Sequence, residues 1–150
     1  MARPPAAGQP EPVFSWPVRI YYEDTDAGGV VYHANYIRFM ERARTEFLRS
    51  LGIELGELAR DHGVVFAVRA LSIDYRKPAR LDDWLEVTVA FECVRAASIL
   101  FRQSIRRGGE EVCEGRVRVA SLSVVHFRPV AIPDFMLERL ATMGLNPPAS

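Results

Sequence analysis

The chain has 150 residues, of which 49% are hydrophobic, and its nineteen basic side chains balance nineteen acidic ones. This length suits one domain that buries a hydrophobic core, and the composition excludes intrinsic disorder, which needs low hydrophobicity and high net charge. The net charge of zero argues against a general nucleic-acid-binding protein, because such proteins bind by neutralising many phosphates. No apolar run reaches the ~18 to 20 residues that span a bilayer, so no transmembrane segment is predicted.

The first seventeen residues and the two cysteines bear on the cellular compartment. Residues 1–17 are rich in proline and alanine and lack the order of basic and then apolar residues that marks a secretory signal peptide. Cys93 and Cys113 are too few and too far apart for a disulfide framework or a zinc site, so we interpret them as buried thiols. We therefore expect a cytoplasmic protein with no metal and no cofactor.

Prolines mark the edges of the predicted domain. Five of the ten prolines lie within residues 1–17, four lie after Phe127, and only Pro78 interrupts the stretch between them. Because proline disrupts helix interiors and sheet ladders, residues 18–128 are predicted to form the folded domain. Residues 1–17 are then a flexible N-terminal arm, and residues 129–150 form a C-terminal helix and tail.

In chain order, the sequence predicts a strand, a turn, a long helix, a short helix and then extended segments. The long helix is indicated by apolar residues that step by 4, 3, 4 and 4 positions, which is one face of a 3.6-residue period. A pair of glycines predicts a tight hairpin between the last two strands. The predicted elements are strand Val18–Tyr22, turn Asp24–Gly29, helix Tyr36–Leu51, helix Leu55–His62, strands Val64–Tyr75, Leu85–Val94, Ser98–Arg106 and Val112–Phe127, and helix Ile132–Met143.

This order of elements predicts an α+β fold. A single long helix followed by an antiparallel meander is expected to lie across one face of the sheet. Such a layer leaves the other face or an edge of the sheet uncovered. Self-association is the economical way to cover it, so a homo-oligomer is expected.

The segment between the first strand and the long helix carries the most chemical information. Three carboxylates, Glu23, Asp24 and Asp26, stand within four positions and precede two glycines. Asn35 is predicted to cap a helix that starts at Tyr36, which leaves N–H groups there for a developing negative charge. A carboxylate beside oriented N–H donors suits acyl transfer. A purely structural interpretation stays open, because Asp and Gly are ordinary turn residues.

Two segments of this sequence resemble a known enzyme family. Tyr22–Tyr36 (YEDTDAGGVVYHANY) with Glu41–Arg44 (ERAR) closely resembles the hotdog-fold acyl-CoA thioesterases of the 4-hydroxybenzoyl-CoA thioesterase-like group, and within it the thioesterases associated with the Tol-Pal system. Asp74–Asp83 (DYRKPARLDD) resembles a passage shared by many hotdog proteins. The resemblance covers roughly Val18–Arg128. It implies an antiparallel β-sheet wrapped around a long central helix, and hydrolysis of an acyl-CoA thioester to free acid and CoA.

The resemblance assigns roles to individual residues of the first segment. It places the catalytic carboxylate on Asp26, as either general base or nucleophile. It implies that the backbone N–H of His33 polarises the thioester carbonyl, and it leaves open a second role for the imidazole as a proton carrier. Tyr32, Asn35 and Tyr36 are expected to shape the substrate pocket.

Further candidates lie on the helix and among the basic residues. Glu41 is the reserve carboxylate and a candidate for the acyl pocket, because some hotdog thioesterases use a helix carboxylate, and the alternative is a salt bridge at helical spacing. The phosphates of CoA favour arginine or lysine ligands. Arg76 and Lys77 belong to the densest basic group outside the helix and are predicted to bind substrate. More arginines crowd the last hairpin, namely Arg102, Arg106, Arg107, Arg116 and Arg118.

The resemblance also implies partners and leaves two alternatives. Hotdog subunits join their sheets edge to edge, so a dimer is the minimum and a tetramer is expected in this group. One alternative is a hotdog acyl hydratase or dehydratase, which uses an Asp-x-Asn-Pro-x-His pattern, whereas here His33 follows Asp26 by seven residues without that pattern. The other is a non-catalytic partner of acyl carrier protein or of the Tol-Pal machinery.

Overall fold

The structure, a computed structural model, describes residues 10–144. In this part of the chain, five antiparallel strands form one sheet in the order β1-β3-β4-β5-β2. A single 3-10 turn, Tyr22–Asp24, follows β1. The elements are β1 Phe14–Arg19, α1 His33–Ser50, α2 Leu55–His62, β2 Val64–Tyr75, β3 Trp84–Val94, β4 Ser98–Arg107, β5 Glu110–Ser123 and α3 Asp134–Ala141. No helix among the described residues is long and apolar enough to cross a membrane.

The long helix α1 packs on the sheet with the face that its sequence predicts. Tyr36, Met40, Ala43 and Phe47 are each at most 3% exposed. They contact the sheet mainly at β3 and β1. Full burial of a large apolar side chain contributes about 1.5–3 kcal/mol, so this face is a main source of stability. The predicted α+β arrangement, with one long helix across an antiparallel sheet, is confirmed.

The start of α1 differs from the prediction. The helix begins at His33 and not at Tyr36, and its N-cap residue is Tyr32. Asn35 therefore lies in the first turn and is not the N-cap. Its side-chain Nδ2 donates instead to the carbonyl oxygen of Asp24 at 2.9 Å. This tertiary hydrogen bond overrides the general preference of asparagine for the capping position.

Strand β1 begins four residues before its predicted start at Val18. It lies at one edge of the sheet and pairs with β3, and Pro17 stands opposite Glu86 in the middle of that pairing. An edge strand tolerates proline because one of its sides has no ladder partner. The strand thus extends into the range predicted as an N-terminal arm. Residues 1–9 of that arm lie outside the described residues.

The hairpin between β4 and β5 forms as predicted. Gly108 and Gly109 adopt φ values of 57° and 87°, and Arg107 pairs with Glu110 on either side of them. Two consecutive residues with positive φ make the type I′ turn that suits the twist of a hairpin, and glycine adopts this conformation without strain.

In the C-terminal part, the last strand and the last helix are shorter than the sequence predicts. β5 ends at Ser123, four residues early, because the N–H of Phe127 donates to the Ser123 carbonyl at 2.8 Å and turns the chain. The closing helix α3 starts after Pro133, which serves as its N-cap, and it is shorter than predicted at both ends. Its Met136 and Leu140 are buried in the core. Residues 145–150 of the predicted tail lie outside the described residues.

The two faces of the sheet have different chemistry. The inner face packs against α1 with buried side chains such as Phe101 and Val117. Because successive side chains of a strand alternate between faces, their neighbours point outward. On that outer face, Arg102 bridges Glu92 and Glu114, and Arg116 also pairs with Glu92. The outer face is therefore a charged surface.

Candidate active site

Asp26 lies in a short loop that connects the 3-10 turn to α1. Its N–H donates to the Val30 carbonyl at 2.8 Å, and the N–H of Gly29 donates to the Asp26 carbonyl at 3.0 Å. Gly29 has a φ of 80°, a conformation that side chains other than glycine disfavour. Val30 is also bridged to Arg80. The loop is therefore held in one conformation by its own backbone and by a neighbouring segment.

The carboxylate of Asp26 is anchored through one oxygen. Oδ1 accepts hydrogen bonds from the N–H of Gly28 at 2.8 Å and of Val30 at 3.4 Å. Oδ2 has no hydrogen-bond partner within the described residues, and the residue is exposed. A side chain that accepts hydrogen bonds from backbone N–H groups a few residues further along the chain is oriented without long-range contacts. The loop thus presents one free carboxylate oxygen to solvent or substrate.

Asp24 ties this loop to the start of α1. Its Oδ2 accepts from the N–H of Tyr21 at 2.8 Å. Its carbonyl accepts from the N–H of Tyr32 at 2.9 Å and from Asn35 Nδ2 at 2.9 Å. Asp24 is therefore a structural residue that sets where the helix begins relative to the loop.

The first residue of α1 offers a free backbone donor. The first N–H groups of a helix have no partner within the helix, and the side chain of the N-cap residue Tyr32 makes no capping bond. The N–H of His33 makes no hydrogen bond in the part of the chain that is described. It stands at the positive end of the dipole of an 18-residue helix. This position favours an oxygen atom that gains negative charge.

A shallow cleft of about 310 Å³ lies between the start of α1 and the end of β2. The structure brings four predicted site residues together there: His33, Tyr36, Arg76 and Lys77. The complete lining is Val31, His33, Tyr36, Tyr75, Arg76, Lys77 and Pro78. The cleft combines aromatic and apolar walls with two cationic residues and the first turn of the helix.

Tyr75 is a cleft residue that the sequence reasoning missed. Its hydroxyl donates to the His33 carbonyl at 2.9 Å. Its ring packs against the rings of His33 and Tyr36, with centroid separations of 6.3 Å and 5.6 Å. The available signal was its place directly before Arg76 in the second family-like segment. Tyr75 connects the end of β2 to the start of α1 and so helps to position both sides of the cleft.

Tyr36 forms the floor of the cleft. It is buried, and its hydroxyl oxygen accepts from the N–H of Ala79 at 3.0 Å. Burial raises the pKa of this phenol, with the Ala79 hydrogen bond acting in the opposite direction. Tyr36 is therefore a neutral, fixed wall of the cleft at physiological pH.

The remaining predicted residues do not line this cleft. Tyr32 is exposed, and its ring lies 4.6 Å from the ring of His33. Asn35 is buried and is held by Asp24 on one side, while its Oδ1 accepts from Arg38 at 3.4 Å. Asp26 lies in the adjoining loop. These three residues belong to the loop before α1 or to the first residues around the start of α1, next to residues that do line the cleft.

Glu41 points to a different cavity. It lies eight residues after His33, which corresponds to ~12 Å along the helix. There it lines a mostly apolar cavity of about 250 Å³ together with Arg44. It forms no salt bridge with any residue of the described range, although its charge acts to raise the pKa of Arg44, three residues further along α1, so its role stays a prediction. Its distance along α1 therefore separates Glu41 from the cleft at the start of the helix.

Both basic residues of the cleft are already paired with carboxylates. Arg76 contacts Glu111 at 2.7 Å and Glu114 at 3.0 Å, and Lys77 contacts Glu110 at 3.1 Å. Their charges are therefore largely compensated in this structure. Within the described range, no group of three His, Cys, Asp or Glu side chains is arranged to hold a metal ion.

Comparison with known proteins places the chain in a family. The model of the thioesterase-like superfamily matches residues 21–140. The acyl-CoA thioesterase YbgC of Haemophilus influenzae is 48% identical over 120 residues, which cover 80% of this chain and 88% of the relative. The acyl-CoA thioester hydrolase YbgC of Escherichia coli O157:H7 is 44% identical and covers 81% of this chain and 90% of its own length.

Solved structures agree with the sequence relatives. A probable thioesterase from Bartonella henselae superimposes with a TM-score of 0.76 at 33% identity, covering 79% of this chain and 98% of the other. A hypothetical protein from Aquifex aeolicus superimposes with a TM-score of 0.79 at 31% identity, covering 85% of this chain and 98% of the other. The predicted hotdog fold is confirmed, and the chain belongs to the thioesterase-like superfamily.

Proposed function

We propose that this protein hydrolyses acyl-CoA thioesters to a free acid and CoA. The observation that carries the proposal is that two groups at or beside one cleft have no hydrogen-bond partner among the described residues: Oδ2 of Asp26, in the loop before α1, and the N–H of His33. The YbgC relatives, at 44% and 48% identity, are named as acyl-CoA thioester hydrolases and support the same reaction. Because CoA thioesters are cytoplasmic metabolites, the cytoplasm is the expected place of action.

Asp26 supplies the nucleophilic side of the reaction. As a general base, its Oδ2 takes a proton from a water molecule whose oxygen attacks the thioester carbonyl. As a nucleophile, Oδ2 attacks the carbonyl itself, and water then hydrolyses the resulting mixed anhydride. In both routes the C–S bond breaks and CoA leaves as a thiolate that takes up a proton. The exposed imidazole of His33 is a candidate donor of that proton.

The start of α1 supplies the electrophilic side. Negative charge develops on the carbonyl oxygen as the tetrahedral intermediate forms. The N–H of His33 stabilises this charge, and the helix dipole adds to the effect. Tyr75 supports the geometry, since its hydroxyl holds the carbonyl of the same residue. The aromatic walls receive the thioester region, with Arg76 and Lys77 at the side where the CoA moiety leaves the cleft.

The substitution Asp26→Asn tests the assignment. We expect it to lower kcat for thiol release by about 10²-fold or more, measured over short-chain, long-chain and aromatic acyl-CoAs. Glu23→Gln is the matched control, because it removes a carboxylate of the same loop and is expected to retain activity. Circular dichroism and the native mass verify that both variants fold. Undiminished turnover in the Asp26→Asn variant would refute the role of Asp26.

We also infer that two copies of the chain pair through their β2 strands. β2 has 12 residues, lies at the edge of the sheet and pairs within the chain with β5. Its inner-face side chains Val68, Leu71 and Tyr75 are 54%, 39% and 46% exposed. A long edge strand with exposed apolar side chains invites pairing with another strand, and a second copy satisfies both the backbone and the side chains.

A bulge in β2 specifies the register of this pairing. The bulge lies at Arg69, between Val68 and Ala70, and shifts the alternation of side chains by one residue. Full antiparallel overlap puts the two-fold axis between Arg69 and Ala70. Leu71 then faces the partner subunit's Val68, and Tyr75 faces the partner subunit's Val64, so that inner faces meet inner faces throughout. The partner thereby borders the cleft at Tyr75.

Light scattering tests the pairing. The wild-type chain of 16.9 kDa is expected to have at least twice that mass in solution. Leu71→Lys is expected to reduce the mass to that of a monomer, whereas Val125→Lys, at an exposed apolar position outside β2, is the control. A monomeric wild type contradicts the inference. A mass of four chains agrees with the tetramer that the family resemblance implies and requires a second interface.

Acyl carrier protein and Tol-Pal components belong to this proposal as further partners. Acyl carrier protein also holds acyl groups as thioesters, so acyl-loaded carrier protein is a second substrate to test beside acyl-CoA. Co-purification with tagged Tol-Pal components tests the other association. Binding with no thiol release from any substrate favours the non-catalytic alternative.

A further inference from the structure

Four arginines surround a large open groove on the outer face of the sheet. We call it the four-arginine groove and define it by Arg69, Arg95, Arg116 and Arg118. Its volume is about 600 Å³. The rest of its lining includes Ala70, Ser72 and Leu100. No acidic side chain of the described residues lines it, so the groove is a concave and strongly positive surface.

Strand pairing shows that this groove and the cleft lie on opposite faces of the sheet. Arg118 stands opposite Ala70, and Arg116 stands opposite Ser72. Between the two arginines, Val117 is 1% exposed and points into the core. Since neighbouring side chains of a strand alternate, Arg116 and Arg118 point away from α1. The cleft at Tyr75 is on the α1 side.

Most of the positive charge of the groove has no compensating carboxylate among the described residues. Arg116 pairs with Glu92. The side chains of Arg69, Arg95 and Arg118 make no ion pair and no hydrogen bond within residues 10–144. The cations predicted to bind CoA, Arg76 and Lys77, are in contrast paired with glutamates. Three of the four groove arginines therefore carry positive charge that no carboxylate of the described residues compensates.

We propose that the four-arginine groove binds a phosphate-bearing anion, such as a nucleotide phosphate or pyrophosphate. A guanidinium group offers a planar pair of N–H donors that matches phosphate oxygens, and several together neutralise a doubly or triply charged group. An anion in the groove also relieves the mutual repulsion of the arginines. Two sources supply this chemistry: the 3′-phosphate and pyrophosphate of the substrate CoA, or a separate phosphate compound.

The proposed β2 pairing leaves this groove open. Pairing uses the edge of β2 and not its outer face, and the axis lies between Arg69 and Ala70. The grooves of the two subunits therefore lie next to each other in the proposed dimer, which increases the local positive charge. The groove proposal does not depend on the dimer or on hydrolysis, because anion binding is measured directly and without turnover.

Calorimetric titration of the full-length protein tests the groove. Sodium pyrophosphate and adenosine 3′,5′-bisphosphate, the phosphorylated nucleotide portion of CoA, are the two probes. We expect the wild type to bind them with an affinity that falls as salt is added. The double variant Arg69→Ser/Arg118→Ser is expected to bind about tenfold more weakly or worse, whereas Arg60→Ser/Arg128→Ser, a matched loss of two exposed arginines elsewhere, retains the affinity.

Two results overturn the proposal: no binding of either probe to the wild type, or equal affinities in the two double variants. Circular dichroism confirms that both variants fold. Failure of the hydrolysis assay leaves the binding result standing, so the two proposals are tested separately.

Kinetics with two substrates distinguish the sources of the phosphate. If the groove binds the substrate CoA, Arg69→Ser/Arg118→Ser raises the KM for acyl-CoA and leaves the KM for the matching acyl-pantetheine unchanged. If it binds a separate compound, both KM values stay unchanged, and pyrophosphate still binds when the protein is saturated with CoA. Either result supports a phosphate site in the groove.

Discussion

The guanidinium of Arg44 donates a hydrogen bond of 2.9 Å to Oε1 of Gln103, and both side chains are buried between α1 and β4. Gln103 in turn donates from Nε2 to the carbonyl oxygens of Met40 at 3.0 Å and Thr88 at 3.3 Å. Burial lowers the pKa of Arg44 to about 10, while the charge of Glu41 acts in the opposite direction. A single polar network thus joins α1, β3 and β4 inside an apolar core.

This network predicts a non-additive pair of substitutions. Gln103→Leu leaves the Arg44 guanidinium buried without its acceptor and is expected to lower the free energy of unfolding by about 2–3 kcal/mol. Arg44→Met combined with Gln103→Leu removes both partners of the hydrogen bond. The double variant is expected to lose less free energy of unfolding than Gln103→Leu alone. Urea unfolding of the single and double variants measures the coupling. Additive losses would show that the two side chains act independently.

The loop at Asp26 predicts a positioning role for Gly28. A Cβ atom at Gly28 would lie 3.2 Å from Oδ1 of Asp26, which is closer than an ordinary contact. Gly28→Ala is therefore expected to displace the carboxylate and lower kcat about tenfold or more, with little change in the free energy of unfolding. Ala27→Ser, an exposed change at the next position, is the control. Equal kcat values in the two variants would contradict this role.

The two cysteines are predicted to differ in reactivity. Burial raises the pKa of the Cys113 thiol to about 12, and the nearby charge of Glu111 adds to the shift. Cys113 is fully buried, whereas Cys93 is partly exposed. Because the thiolate is the reactive form, iodoacetamide is expected to label Cys93 in the folded protein and Cys113 only after unfolding in urea. Mass spectrometry of the peptides shows which cysteine carries the label. Labelling of Cys113 in the folded protein would contradict the burial of its thiol.

The outer-face ion pairs predict a loss of stability in acid. The hydrogen bond from Arg116 lowers the pKa of Glu92 below its ordinary value of 4.5, burial opposes this effect, and Arg102 adds to it. A carboxyl group whose pKa is lower in the folded state stabilises the fold above pH 4.5 and loses this contribution as the pH falls through the folded value. The contribution is about 1 kcal/mol or less, because the network is partly exposed.

The variant Glu92→Gln measures this contribution. At neutral pH the variant is expected to be less stable than the wild type in urea. Below pH 4.5 the difference is expected to shrink, because the carboxyl group of the unfolded wild type becomes protonated, and to vanish once the pH falls below the lowered pKa of the folded state. High salt is expected to reduce the difference at neutral pH. A difference that stays constant with pH would show that the charge of Glu92 is not what stabilises the fold.

Local patterns in the sequence were enough to predict most of the elements. The buried face of α1 follows from the spacing of Tyr36, Met40, Ala43 and Phe47, and the hairpin turn follows from two adjacent glycines. Both depend on residues that are close in the chain, so periodicity and turn preferences are sufficient. Element ends were less predictable. The start of α1, for example, depends on the contact between Asn35 and Asp24, which are 11 residues apart.

The tertiary structure decided which side chains share the candidate site. Tyr75 reaches the carbonyl of His33 across 42 residues of chain, and no local pattern indicates that contact. Glu41 was a candidate for the same site, but it lies about two turns further along α1 and lines another cavity. Local sequence therefore marked the acidic loop before α1 as a candidate site, and the meeting of β2 with α1 added the wall of the cleft.

The charged residues show the same difference between what the sequence determines and what only the tertiary structure decides. The sequence by itself determines that positive and negative side chains balance and that arginines crowd the last strands. Only the pairing of strands decides which cations are neutralised: Lys77 contacts Glu110 across 33 residues, while Arg69 and Arg118 contact no carboxylate among the described residues. Ion pairs form between side chains that strand register places on one face, and register is a property of the folded sheet.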